Sequence, residues 1–410
     1  MTELQCIPVL LGTGANAYGL AEGLYKAYGV TSVCVGPTIL LQTRYSKIVS
    51  PRLVRDLTDD ARFVPELMAL ADELNASRPG VPLVLIACAD TSAALLAHHR
   101  DELRERYLLC SIDGATLDRA VDKVGFSEIC REAGVPTPIT AVYDYEDFRA
   151  GRAVPEPASF PLELKAADSV AYLDVDFPGR KKAYTIATRD ELNRVARAIY
   201  EAGYRGALVI QEFIPGTDGE MRTLNAYVNA DGSIAMMSLG NPIMEEYAPA
   251  RIGNYAAIIA EGDETVYAQT AKLLRSLHYT GYANFDMKRD PRDGVFKFLE
   301  INPRPGGSSD YTSQAGLNLA SWIVRDLLLN EHGETVYGFD KHLWLGVPKF
   351  VVRKFAPEGT AKHEALALIN AGKASRSAFF WKDMNPRRLF ELVRWQFAVT
   401  RDFYRYAPKR

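Results

Sequence analysis

Residues 281–304 read GYANFDMKRDPRDGVFKFLEINPR. Two runs rich in apolar residues flank DPRDG, a turn signal, so the stretch reads as a β-hairpin. On its second strand the period of two puts Glu300, Asn302 and Arg304 on one face. Asp286, on the first strand, falls near that group across the turn. Two carboxylates and an amide oxygen are hard ligands suited to Mg²⁺ or Mn²⁺. Arg304 beside them suits phosphate oxygens. The plain alternative is an exposed hairpin with scattered charges.

Working outward, the lysines add to this pattern. Lys165 ends the run FPLELK, and a charge in an apolar strand marks an edge, a solvated face or a ligand contact. Lys123 opens a short helix in AVDKVGF, where N-terminal amides favour anions. FPGRKK adds Arg180, Lys181 and Lys182 in a Gly-containing turn. Taken singly, each is an ordinary surface cation. Together they are candidate phosphate partners on three separate segments.

The rest of the chain frames these segments. Residues 7–110 alternate short apolar runs (IPVLL, TSVCVG, VPLVLIA) with helical patterns, which predicts a parallel sheet covered by helices. Residues 111–140 read as two short helices ended by Gly134, Pro136 and Pro138. Thr188, with Glu191 three residues on, forms a capping-box pattern that opens a helix. Residues 206–302 are strand-rich, with NADG as a second turn signal. After 315 the pattern is mainly helical. We expect domains at 1–114, 115–205, 206–335 and 336–410.

The ordered set resembles the ATP-grasp fold over residues 115–330. It comprises a lysine at a helix start (Lys123), a lysine ending a strand (Lys165), the hinge strand VIQEFIPG, Asp286 on one strand and EINPR on the next. ELKAADSVAY…FPGRKKAY and VLLGTGANAYG narrow the resemblance to the D-aspartate ligase branch, over nearly the whole chain. The fold class expected is therefore α/β and α+β: an ATP-grasp fold with an N-terminal Rossmann-like domain and a helical C-terminal extension. The resemblance implies these roles. Lys123 and Lys165 contact ATP phosphates, with Lys181 and Lys182 as further ATP contacts. Glu212 and the Phe213–Ile214 backbone meet the adenine edge, and Glu220 the ribose. Asp286, Glu300 and Asn302 bind two Mg²⁺, with Mn²⁺ as an alternative. Arg304 faces the transferred phosphoryl group, and Lys165 shares the catalytic role. Many relatives carry a glycine-rich lid where this chain has AADSVAYLDVDFPGRKK, which holds one glycine and three basic residues.

The implied activity is ATP-dependent ligation of a carboxylate to an amine through an acyl phosphate. In this branch the acid is D-aspartate and the amine belongs to a peptidoglycan precursor, linked to a nucleotide. A ligase making a dipeptide or modifying another peptide is the alternative enzyme. A nucleotide-binding protein with a regulatory or degenerate site is the alternative class. Phosphoryl transfer is mostly positioning and charge stabilisation, so a chain with no Ser/His/Asp or Cys/His constellation fits it. Arg222 and Arg251 are candidates for holding a substrate carboxylate; surface salt bridges are their plain alternative.

Composition agrees. The net charge of −3 over 410 residues gives no argument for nucleic acid. Residues 341–410, however, hold fifteen Lys and Arg against five Asp and Glu, a basic tail on an acidic body. Leu389, Leu392, Val393, Phe397 and Phe403 fit one helical apolar stripe there, with Arg388, Arg394 and Arg401 off it. A helix packed on the body is the plain reading; a membrane-surface helix or a patch for an anionic substrate are the sharper ones. Cys6, Cys34, Cys88, Cys110 and Cys130 form no C-x-x-C pair and read as buried free thiols in a reducing, cytoplasmic setting. No apolar run approaches the ~20 residues that span a bilayer. A monomer and a homo-oligomer are both compatible with the sequence.

VLLGTGANAYG at 9–19 looks like a dinucleotide-binding turn. The third fingerprint glycine, however, is Ala17, and the second strand ends in Gly36 and Pro37 with no carboxylate for a ribose. The turn reads instead as a substrate-facing loop, with Gly14 and Asn16 as candidate contacts; a tight structural turn is the alternative.

Overall fold

The computed structural model describes residues 5–168 and 171–408. Chain contacts divide it into two compact units. Unit 1 comprises residues 1–117, 218–285 and 302–410; unit 2 comprises 118–217 and 286–301.

The chain begins in unit 1 with four parallel strands, β1 (Ile7–Leu11), β2 (Ser32–Gly36), β3 (Val49–Leu53) and β4 (Leu83–Ala87), in the order β3-β2-β1-β4. The near-continuous apolar runs of β1, β2 and β4 follow from burial on both faces. Ile7, Val9 and Leu11 pack towards the helix Asp60–Ser77, while Leu10, Val84 and Ile86 pack towards the helix Ala15–Tyr28. The strand β3 has no counterpart in the sequence reading. It is short and contains Pro51, which an edge strand tolerates because one side of its ladder is unpaired.

Unit 2 holds β5 (Thr140–Tyr143), β6 (Leu162–Ala166), β7 (Ala183–Ile186) and β8 (Leu208–Glu212), an antiparallel sheet in the order β5-β8-β6-β7. One face is covered by the helix Arg189–Glu201, through Leu192, Val195 and Ile199. Thr188 caps that helix by accepting from the Glu191 N–H at 3.2 Å. The Glu191 carboxylate bonds the Ala187 N–H rather than that of Thr188, a one-residue departure from the expected box.

The chain then returns to unit 1 with β9 (Met221–Val228), β10 (Ile234–Glu245) and β11 (Tyr255–Glu261). NADG is the β9–β10 turn: Gly232, at φ +84°, sits where a side chain would be strained. β12 (Gly281–Arg289) starts in unit 1 and ends in unit 2; β13 (Phe296–Asn302) makes the return journey. Between them Gly294, at φ +78°, donates to the Asp290 carbonyl and closes the DPRDG turn.

The region after 315 is less helical than expected. β14 (Val336–Gly338) joins β10, and β15 (His342–Leu345) and β16 (Ala374–Arg376) extend the sheet beyond β11. Strands of three or four residues carry too little alternation to be seen alone; an existing sheet edge organises them. The chain closes with a helix over Pro386–Tyr406.

Candidate active site

In unit 2 the alternation of β6 buries Leu162, Leu164 and Ala166 in the core. The opposite face carries Glu163 and Lys165, 3.4 Å apart. Lys165 lies opposite Val209 of β8 and Ala183 of β7. Lys123 is the first residue of the helix Lys123–Glu132, as expected. Its ammonium donates to the carbonyls of Ala166 and Ala167, at 2.9 and 3.0 Å. The two lysines therefore converge at the end of β6. Burial, then the charge of Lys165, lowers the Lys123 pKa, and Glu300 opposes that shift. The helix amides themselves are not available. Asp122 caps the helix by accepting from the N–H groups of Val124 and Gly125, at 3.0 and 2.8 Å. An anion here meets lysine side chains, not the helix terminus.

The Arg180–Lys182 turn divides by function. Arg180 folds back onto Tyr172, donating to its carbonyl at 2.9 Å with the guanidinium 4.9 Å from the ring centre. Lys181 and Lys182 stay exposed, and the Lys182 charge also depresses the Lys123 pKa. Of the lid segment 166–182, Ser169 and Val170 lie outside the described residues.

At the hinge, the Glu212 N–H donates to the Ile139 carbonyl at 2.8 Å. Its carboxylate is held by Lys297 at 2.8 and 2.9 Å and by Arg292 at 2.5 Å. Burial raises the Glu212 pKa, but these donors outweigh it and the net shift is downward. Asp290 completes the cluster, 3.1 Å from Lys297. Lys288 donates to the Ile214 carbonyl at 2.9 Å, 5.8 Å from the Phe213 ring centre. The sequence reading passed over Lys288, Arg292 and Lys297. Their signal was present, as one cation within the DPRDG turn and two flanking it.

Glu300 is exposed on β13, and Asp286 is half-buried on β12, the neighbouring strand. Asn302 shares the Glu300 face of β13 by the two-residue period. Unit 2 also contains a cavity of about 520 Å³ between the helix Lys123–Glu132 and residues 135–142, and none of the expected nucleotide residues lines it.

In unit 1 the remaining candidates are tied to other groups. Asn302 donates to the Asn284 amide oxygen at 3.3 Å, which turns its own oxygen away from that contact. Asn284 in turn donates to Thr223 and the Leu224 carbonyl, at 2.9 and 3.2 Å. Asn225 accepts from the Gly306 N–H at 2.9 Å. These buried amides, inside otherwise apolar strands, fix the start of the segment after EINPR; a buried Asn in a strand pattern was the clue. Arg304 lies 2.8 Å from Asp90, the first residue of a helix entered from β4. Arg222 pairs with Glu261 at 2.5 Å and bonds the Gly219 and Met221 carbonyls. Arg251 pairs with Glu246 at 2.9 Å and Asp402 at 3.4 Å. Glu220 closes the short turn that enters β9.

Gly14 is the N-cap of the helix Ala15–Tyr28. Asn16 donates to the carbonyls of Cys88 and Pro305, at 3.1 and 3.0 Å, and accepts from Ser309. Its amide thus stitches the first loop to the segment following Arg304. Gly12 has a spatial reason: a Cβ there would come within 2.9 Å of the Cys88 Cβ. All five cysteines are free and buried. Burial pushes the Cys6 thiol up to about 11 and the Cys88, Cys110 and Cys130 thiols up to about 12, so none is a ready nucleophile. Among the described residues no cluster of three His, Cys, Asp or Glu side chains could hold a metal, and no helix is long and apolar enough to cross a membrane.

Residues 252–342 match the family model described as ATP-grasp in the biosynthetic pathway with Ter operon. A D-aspartate ligase from Enterococcus faecium is 40% identical over 390 residues, 94% of this chain and 92% of that protein. Among solved structures, the biotin carboxylase domain of the Hydrogenobacter thermophilus 2-oxoglutarate carboxylase superposes with a TM-score of 0.61 at 14% identity, covering 83% of this chain and 73% of its own. The Staphylococcus aureus N5-carboxyaminoimidazole synthetase gives 0.57 at 17% identity, covering 82% and 81%. An L-amino acid ligase from Bacillus licheniformis gives 0.54 at 15%, covering 80% and 75%. The structural likenesses establish the ATP-grasp fold, and the 40% identity over nearly the whole length establishes the family: the chain belongs to the D-aspartate ligase family and is an ATP-dependent carboxylate–amine ligase.

Proposed function

We propose that the protein joins D-aspartate, through its β-carboxylate, to an amine of a peptidoglycan precursor carried on a nucleotide. ADP and phosphate are the by-products. The observation that carries the nucleotide site is the meeting of Lys123 and Lys165 at the end of β6, where Lys123 is held by two carbonyls. The acid is taken from the E. faecium relative, whose name it forms.

In this reading Lys123 and Lys165 hold the α- and β-phosphates, and Lys181 and Lys182 approach from the exposed turn. Glu212, Phe213 and Ile214 receive the adenine edge; Lys297 and Arg292 fix Glu212 for that task. Glu220 takes the ribose. Asp286, Glu300 and Asn302 supply the hard oxygens for Mg²⁺. The donor set fits: Mg²⁺ is held by one or two carboxylates plus substrate phosphates, and Asn302 keeps its amide oxygen turned from Asn284. Bound there, two Mg²⁺ ions, or Mn²⁺, would neutralise charge on the phosphates.

The substrate carboxylate oxygen attacks the γ-phosphorus, and ADP leaves with the bond's electrons. The amine then attacks the acyl carbon, the amide forms, and phosphate departs while the amine loses a proton. Arg304, aligned by Asp90, faces the transferred phosphoryl group and the oxyanion. Arg222 and Arg251 are the carboxylate-holding candidates, and each must then share its guanidinium with a protein carboxylate. Gly14 and Asn16 are the candidate substrate contacts of the first loop, and Asn16 must then share its amide with the Cys88 and Pro305 carbonyls. We assign the nucleotide roles to 115–205 and 206–335, the substrate loop to 1–114, and an accessory role to 336–410. The five buried free thiols support a cytoplasmic setting.

The test is ADP release against a panel of D- and L-amino acids, with hydroxylamine as the amine. D-aspartate alone should stimulate release and yield an acyl hydroxamate. AMP and pyrophosphate in place of ADP and phosphate would refute the acyl-phosphate route; stimulation by another acid would reassign the substrate.

A further inference from the structure

The helix Pro386–Tyr406 presents two different apolar faces. Leu392, Val399 and Phe403 are buried, Leu392 against the N-terminal core and the other two against the helices Lys349–Phe355 and Thr360–Asn370. Arg388, expected on the polar side, is buried at this same face. At about 100° per residue, these four lie within about 40° of one direction.

The second face points outward. Phe390, Val393, Phe397 and Tyr404 are all exposed, Phe390 by 66% and Phe397 by 72%. On the same helical wheel they cluster about 140° from the buried face. Arg387, Arg394, Arg401 and Arg405 are also exposed and form a row directly beside them, about 215° from the buried face. Glu391 and Asp402 approach this row, 2.8 Å from Arg394 and 3.7 Å from Arg401. Four outward arginines thus stand against two carboxylates along the helix. In the turn that feeds the helix, Trp381 is 84% exposed.

We propose that this outer face lies on a bilayer surface rich in anionic lipid. An apolar stripe of aromatic residues, with guanidinium groups along one border, is what an interfacial helix presents. Aromatic rings enter the boundary between headgroups and acyl chains, while arginine stems lie along it and their charges reach lipid phosphates. The helix is about 31 Å long, so the stripe lies along the surface rather than dipping in at one end. The excess of positive charge over residues 341–410 selects an anionic surface. A second copy is the less suitable cover: pairing this stripe with itself antiparallel about a twofold axis brings two arginine rows together, and in neither sense of pairing does the helix offer an acidic row to meet them.

The test is flotation of the full chain with vesicles of phosphatidylcholine, with or without about a third phosphatidylglycerol, at low and high salt. The protein should bind the anionic vesicles at least about tenfold better than the neutral ones, and salt should weaken binding. F390S/F397S should cut binding about tenfold with unchanged melting temperature and unchanged amino-acid-dependent ATP hydrolysis. R394Q/R401Q should remove the preference for anionic lipid while leaving residual binding. Absence of flotation, equal binding to both vesicles, or full binding by F390S/F397S would overturn the proposal. So would a dimer seen by sedimentation that F390S/F397S converts to monomer.

Discussion

In unit 2, Lys123 and Lys165 crowd one another at the end of β6, and the Lys182 charge adds to the crowding. In unit 1, Arg222, Arg251 and Arg304 each lie against a carboxylate already provided by the protein. The difference separates two uses of positive charge. Crowded lysines raise the energy of the empty site and gain most when a polyanion arrives. Paired arginines are oriented in advance but carry less net attraction.

The largest effect expected lies at the acid beside the lysines. Glu300 is exposed, and its charge acts on Lys123. E300Q should keep the melting temperature and lower acid-dependent ATP hydrolysis by at least about a hundredfold, through loss of the cation that offsets phosphate charge. Full turnover by E300Q would dissolve the proposed metal site.

Next is the extreme case of pairing. Arg388 and Asp383 are both fully buried, 3.2 Å apart. Asp383 also accepts from Tyr18 and Ser46 at 2.8 Å and from the Lys47 N–H at 2.5 Å. Arg388 donates to the Gln42 carbonyl at 2.6 Å. R388A leaves a buried carboxylate without its cation and should cost about 3–5 kcal/mol in urea unfolding. K123M, which removes a crowded cation along with its bonds to the Ala166 and Ala167 carbonyls, should cost no more than about 1 kcal/mol in stability yet weaken ATP binding. Equal destabilisation by both would erase the contrast between the units.

The sequence made the lysines, the hinge and the EINPR strand legible because each rests on a short-range signal: a helix start, an alternation, a turn. It hid what long-range packing decides. Arg388 was read as a solvent-facing cation, since nothing near it in the chain reveals that Asp383, Tyr18 and Gln42 surround it. Leu389, Val393 and Phe397 were read as one stripe with Leu392 and Phe403, because a wheel shows where apolar residues lie but not which of them meet a partner. β15 and β16 escaped notice for the same reason, being strands only by virtue of the sheet they join. The Asp90–Arg304 pair joins residues far apart in sequence and could not be read locally.

That pair gives a smaller effect. Asp90 is largely exposed, so D90N should change stability by less than about 0.5 kcal/mol. If Asp90 positions Arg304 for the transferred phosphoryl group, kcat should fall about tenfold with an unchanged KM for ATP, because the interaction is made in the transition state. A rise in KM alone would place Arg304 in ground-state binding.

The smallest effect tests the crowding itself, through pH. Lys123 has a folded-state pKa below its ordinary 10.5. Between the two values the unfolded chain binds more protons, so this lysine makes the apo protein more stable as pH rises through that window. ATP binding has the opposite sign. Phosphate oxygens hold the ammonium in its charged form, so binding takes up a proton once pH exceeds the lowered pKa. Affinity should then fall with rising pH, by at most about tenfold per unit for one proton. K123R, whose guanidinium stays charged, should bind ATP with a flatter pH profile. Subtracting the K123M unfolding profile from that of the parent isolates the stability term from the buried tyrosines that titrate in the same range. Opposite slopes for stability and affinity are the signature of a lysine held in readiness for an anion; parallel slopes would mean that Lys123 is an ordinary structural cation like those of unit 1.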